Sequence, residues 1–182
     1  HGANRLASNS LMECLVFARK MSSIVLNDFP KFAKFDRSFQ EFDIEDPKEE
    51  QISKIAEKID ELRKLCWLNL GVSRNKLNMS KFLNFIDDDI DKLHNNALLN
   101  SLEKIKFDQR IKLSEPNRRA LNLLLDLKNR QITTLTLLKA CLFREESRGG
   151  HHRDDFPDKD KNWECHTRQQ LDQKIYKRFI EN

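Results

Sequence analysis

Apolar positions along most of this chain recur at helical spacing. Ile52, Ile55, Ala56, Ile59, Leu62 and Cys66 recur at the i, i+3, i+4 and i+7 spacing that lines them up on one side of a helix. Asp46, Pro47 and Glu49 stand ahead of that stripe, a capping residue, a first-turn proline and an acid, so a helix is expected to start there. It should reach about Leu68, with Gly71 closing the segment and Trp67 and Leu70 turned into the core. A second stripe, Phe82, Leu83, Ile86, Ile90 and Leu93, follows Ser80 as its cap and sends Asp87, Asp88, Asp89 and Asp91 outward. The spacing resumes over 97–106 and then over 116–144. In the latter, Leu121, Leu124, Leu125, Ile132, Leu135, Leu138 and Leu142 form a seam, with a bend expected near 131–134.

The flanks read differently. Residues 9–21 are expected to be helical, but Leu11, Met12, Cys14, Leu15, Val16 and Phe17 are apolar on most sides, as in a helix buried inside a larger body. Residues 27–45 interleave Phe29, Phe32, Phe35, Phe39 and Phe42 with charges around Pro30, which suits a strap whose rings pack across a surface. Past Arg144 the pattern breaks at Ser147, Gly149 and Gly150, and an extended tail is expected through Trp163, then a short helix over 168–180. Strand signals are almost absent. The expected fold is all-α: an antiparallel bundle of about three long helices, preceded by a separate N-terminal helix and followed by an extended C-terminal tail. The expected segments are 1–26, 27–45, 46–145 and 146–182.

Composition narrows the function classes. The 182 residues suffice to bury a real core. The 33 Lys and Arg stand against 29 Asp and Glu and alternate with them along the helices, so nothing demands nucleic acid. No apolar run approaches the roughly 20 residues of a membrane span. Cys14, Cys66, Cys141 and Cys165 show no paired short spacing, which fits reduced thiols in a cytoplasmic setting. His151, His152, Cys165 and His166 lack the usual zinc loop spacing, and the acids at 87–91 lie in a helical stripe without the turn glycine of a calcium loop. No metal is expected.

Two strings carry candidate chemistry. In HGANRLASNSLMECLVF, from His1, Arg5 supplies a planar fork of donors suited to a carboxylate, and Ser8, Asn9 and Ser10 are helix-capping types. By residue types alone the better reading is an ordinary capped helix with a solvated arginine, since every helix needs caps. FREESRGGHHRDDFPDKDKNW, from Phe143 to Trp163, is a dense arginine-rich run. In order and separation the two strings resemble the last flavin-contacting segment and the tail motif of the succinate dehydrogenase, fumarate reductase and L-aspartate oxidase flavoproteins. WLNLGVSRN, from Trp67, is similar as well, while the rest of the middle matches only in its helical texture. Ala7, Ser8 and Asn9 are closer to the aspartate-oxidising branch, because the dehydrogenases tend to carry two glycines before the asparagine.

That resemblance implies FAD-dependent oxidation of L-aspartate to iminoaspartate, in NAD biosynthesis, with oxygen or fumarate reoxidising the flavin. Arg5 would bind a substrate carboxylate, and Asn9, Ser10 and Leu11 would contact the flavin ring through backbone groups. The chain begins without methionine inside the first motif, and Gly2, Gly71, Gly149 and Gly150 form no dinucleotide-binding fingerprint. The expectation is a C-terminal piece, inactive and without FAD by itself, whose partners are its own FAD-binding domain and, as a candidate, quinolinate synthase. Glu145, Arg148, His151 and Arg153 are expected to form a charge-paired motif docking the tail on the flavin domain, with no catalytic residue in this piece. Two alternatives stay open: the flavoprotein of a succinate dehydrogenase or fumarate reductase, and a non-enzymatic helical adaptor using the phenylalanine strap.

Overall fold

Ile59 and Leu62, then Met79, Phe82 and Ile86, then Leu127 and Leu138 come from three different helices and bury one another. Each such side chain contributes roughly 1.5–3 kcal/mol relative to exposure. The computed structural model describes residues 9–27, 39–41, 44–105, 110–170 and 173–179. It divides into two units, His1–Asp36 and Arg37–Asn182. In the first, helix α1 spans Asn9–Asn27, longer than the expected end at Met21, and Leu11, Met12, Leu15, Val16, Phe17 and Met21 are exposed.

The second unit holds α2 (Glu49–Leu70), α3 (Lys76–His94), a short α4 (Ala97–Glu103) and α5 (Glu115–Phe143). Near their starts, Glu49 of α2 pairs with Arg119 of α5 at 2.8 Å; further along, Cys66 Sγ meets the Thr134 hydroxyl at 3.2 Å. Those two helices therefore run the same way and pack on each other, and α3 runs back against both. Helix α4 adds Leu98 and Leu99 to a second cluster with Ile52, Ala120 and Leu124. The bundle expected from the seams is present.

Several local expectations fail for physical reasons. Helix α2 starts at Glu49, where the Gln51 side chain accepts from the Lys48 N–H at 2.7 Å. Asp46 is instead an acceptor for the Ser114 hydroxyl and for the Asn117 amide at 2.8 Å, tying the incoming chain to the start of α5. Helix α3 begins a turn before Ser80: Asn75 is its cap, accepting from the Asn78 N–H at 2.9 Å. Trp67 is 73% exposed rather than buried, although Leu70 packs on the core. Asp89 does not face solvent like its neighbours; it accepts from the buried Gln131 amide at 2.6 Å. With Gln131 and Thr134 thus bonded to α3 and α2, α5 continues unbroken through the expected bend.

The chain also contains short strands. β1 (Phe39–Glu41) pairs in parallel with β2 (Arg110–Lys112), Phe39 opposite Arg110. Phe29, Phe32, Phe35 and Phe42 lie outside the described residues. Among the described residues of 168–180 no helix forms; β3 (Cys165–Arg168) and β4 (Tyr176–Phe179) make an antiparallel pair there, Cys165 opposite Phe179. Cys165 is buried and Thr167 half-buried between exposed neighbours, a period of two that belongs to a strand.

Candidate functional site

Of the four residues expected at the flavin edge, Arg5 lies outside the described residues. Asn9, Ser10 and Leu11 are the first three residues of α1, and Leu11 is exposed. The first four N–H groups of an α-helix have no acceptor within it, and the first turn of α1 carries no acid to offset the positive dipole end. Such a donor set suits an electron-rich ring or an anion.

The tail is the better-defined site, built around the C-terminal end of α5. A helix end leaves its last carbonyls unbonded and partially negative, and here Arg153 supplies the donors. Completely buried, it donates from Nη1 to the Cys141 and Arg144 carbonyls at 2.7 and 3.2 Å. Its other nitrogens grip Asp155 at 2.7 Å each. Asp155 also accepts from the Lys76 N–H at 3.0 Å, so one ion pair joins the tail, the end of α5 and the start of α3. The Arg153 donors lead in holding the Asp155 carboxyl down to about 2, against its burial.

Glu146 is a second centre. The expected residue was Glu145, which is exposed, whereas Glu146 beside it is entirely buried. It accepts from Arg144 at 2.9 Å, from Arg148 at 2.9 Å and from the Asp160 N–H at 3.0 Å. Burial alone would raise this carboxyl; the bonds from Arg148, the Asp160 amide and Arg144 outweigh it and hold it at about 2. Between the two centres the chain reverses: Arg148 and His151 exchange backbone bonds of 2.8 and 3.1 Å. Gly149, with φ of 60°, takes the left-handed position of that turn.

His151 sits half-buried, Nδ1 3.4 Å from an Arg74 donor and Nε2 3.2 Å from the Arg144 carbonyl. That arrangement fits the neutral ring protonated on Nε2. Burial, ahead of the surrounding arginines, pushes its pKa below the usual value. Trp163, buried, closes the site, with Phe143 edge-on at 5.3 Å and Lys177 Nζ 3.4 Å over its ring.

Arg148, His151 and Arg153 are thus brought together: Arg148 pairs with Glu146, Arg153 with Asp155 and the last carbonyls of α5, and His151 lies between Arg74 and the Arg144 carbonyl. The arrangement locks a tail in place. Among the described residues, no group of three or more His, Cys, Asp or Glu is placed to hold a metal ion, and no helix is long and apolar enough to cross a membrane.

Residues 59–179 match the fumarate reductase flavoprotein C-terminal family. The chain is 32% identical over 172 residues to an L-aspartate oxidase of Synechocystis, covering 92% of this chain and 30% of that protein. An L-aspartate oxidase of Pyrococcus furiosus is 28% identical over 157 residues, covering 86% and 24%. A fumarate reductase (CoM/CoB) polypeptide of Methanothermobacter marburgensis is 31% identical over 169 residues, covering 90% and 28%. The chain therefore spans less than a third of the length of these relatives.

Proposed function

The chain belongs to the fumarate reductase flavoprotein C-terminal family, and from that premise we propose that it is the C-terminal part of an FAD-dependent L-aspartate oxidase. In this reading the whole protein converts L-aspartate to iminoaspartate in a cytoplasmic route to NAD, with quinolinate synthase as a candidate partner. The observation that carries it is the match over about nine tenths of the chain to relatives named L-aspartate oxidase.

The chain's own share of the work is at its first motif. Arg5 would hold a substrate carboxylate through its forked donors, fixing the orientation of the α-carbon. The opening N–H groups of α1, at Asn9, Ser10 and Leu11, would face the flavin ring and favour negative charge there. Bound FAD supplies the electron acceptor. The helical unit is expected neither to hold FAD nor to turn over aspartate when isolated.

Replacing Arg5 by leucine in the full-length protein removes a charge-assisted pair. It should lower kcat/KM for aspartate by about one to two orders of magnitude; unchanged kinetics would remove the role. A flavoprotein working on succinate or fumarate is the second reading, favoured by the 31% identity to the fumarate reductase polypeptide. Oxidation of succinate without oxidation of aspartate by the full-length protein would establish it instead.

A further inference from the structure

The amide of Gln131, 1% exposed in the middle of α5, is satisfied at one end only. Nε2 donates to Asp89 at 2.6 Å. Oε1 has no donor among the described residues, and the side chain lines a cavity of about 20 Å³ between α3, α4 and α5. An ionised carboxylate only accepts, so the amide cannot turn its oxygen towards Asp89 instead. That bond fixes Nε2 on the Asp89 side and leaves Oε1 for the cavity. A buried carbonyl without a donor bears the whole cost of its lost hydration, so the site calls for a group that brings a hydrogen.

The size and lining of the cavity say which. One water needs roughly 10–15 Å³ and about two to four polar partners, and a cavity of about 20 Å³ has room for little more. Ile90 and Leu99 form apolar wall, but Asn100 and Glu103 of α4 and Lys128 of α5 line it as well. Lys128 and Glu103 stand 4.0 Å apart, beyond a hydrogen bond, so that pairing leaves their bonding capacity open. The lysine's charge disfavours a second cation, such as ammonium, beside it.

We propose that this cavity is the seat of one internal water, which donates to Gln131 Oε1 and is held on its other side by the polar groups of α4. It extends a line of bonds already formed across the unit. Lys58 of α2 reaches Asp89 of α3 at 3.4 Å, and Asp89 accepts from Gln131 of α5. The water carries that line to Asn100 and Glu103, so polar bonds cross all four helices. Helix α4 is only seven residues long and buries Leu98 and Leu99. A bridging water fastens it to the bundle with a direction that apolar contact lacks, and a polar network satisfied at every member favours one packing over others.

A high-resolution crystal structure of the 182-residue chain tests this. One water should lie within hydrogen-bond distance of Gln131 Oε1 and of a polar atom of Asn100 or Glu103; the Lys128 ammonium in that place, or no density there, overturns the proposal. In solution, nuclear Overhauser transfer from water to the Gln131 side-chain amide should carry the sign of a long-lived bound water, and the sign of a rapidly exchanging surface water overturns it. Lys128→Met should leave that transfer in place; its loss would make the lysine the donor and overturn the proposal too. Gln131→Met should remove the crystallographic water, and a water that stays would be held by its neighbours without Gln131, against the reading.

Discussion

Arg153→Met keeps most of the side chain's length and removes the charge at the centre of the tail lock. Two losses follow. Asp155 loses its paired donors at 2.7 Å; stripping one partner from a buried pair costs ~3–5 kcal/mol. Because the Asp155 side chain is 29% exposed and keeps the Lys76 N–H, the lower figure applies. The Cys141 carbonyl at the end of α5 loses its donor at 2.7 Å, worth about 1 kcal/mol more. A total near ~4 kcal/mol corresponds to a fall in melting temperature on the order of 10 °C for a unit of this size. Urea titration followed by circular dichroism measures it, with Trp163 fluorescence in a Trp67→Phe background reporting the tail. Arg153→Lys retains charge without the fork and should fall between. A loss under about 1 kcal/mol for Arg153→Met would refute the lock as a source of stability.

Acid should weaken the same structure. Glu146 and Asp155 are both held at about 2 when folded, below their ordinary 4.5 and 3.8, so between those values the unfolded chain binds more protons. Their stabilisation is complete above about pH 5 and is lost as the pH falls towards 2; urea midpoints across that range should show it. Glu146→Gln should flatten the profile, and a midpoint rising towards acid would contradict the assignment. Asp89→Leu strands the Gln131 amide, 1% exposed, and should cost ~1–3 kcal/mol in urea, whereas the exposed Asp87→Ala should stay within about 0.5 kcal/mol. Equal effects would return Asp89 to the solvated face. Gly71→Ala would place its Cβ 2.4 Å from the Trp67 carbonyl oxygen; the forced shift should cost ~1–3 kcal/mol in a thermal melt, and an unchanged melt would argue that the two segments do not approach so closely.

What the sequence made legible was each helix's inner face, because that depends only on the chain's own 3.6-residue period. Ile59, Leu62, Phe82, Ile86, Leu124 and Leu138 are buried as their stripes require. What it hid were polar residues whose partners lie far along the chain. Nothing local separates Asp89 from Asp87 or Asp88; the difference is Gln131, 42 residues away. Nor does anything local separate Glu145 from Glu146, since the choice between them follows from where the Arg148–His151 turn aims the backbone after α5 ends. Asp46 was read as a cap for the helix beside it when its hydrogen bonds go to Ser114 and Asn117, 68 and 71 residues on.

The terminal hairpin failed for a related reason. In isolation, residues 168–180 are weakly amphipathic and carry Gln, Lys and Arg, which tolerate helix. As a pair, β3 and β4 set Cys165 and Thr167 inward and lay Lys177 over Trp163, contacts available only once the tail lock has fixed Trp163 through Arg144, whose Nη2 donates to the Trp163 carbonyl at 2.7 Å. The strands are thus a consequence of the lock rather than of local preference. Disrupting Arg144 should therefore loosen the hairpin while the three-helix core, whose buried residues it does not touch, stays folded. Amide exchange of Thr167 and Lys177 in Arg144→Met, accelerated relative to those of Phe82 and Leu127, is the expected sign; equal protection of both sets would make the hairpin autonomous.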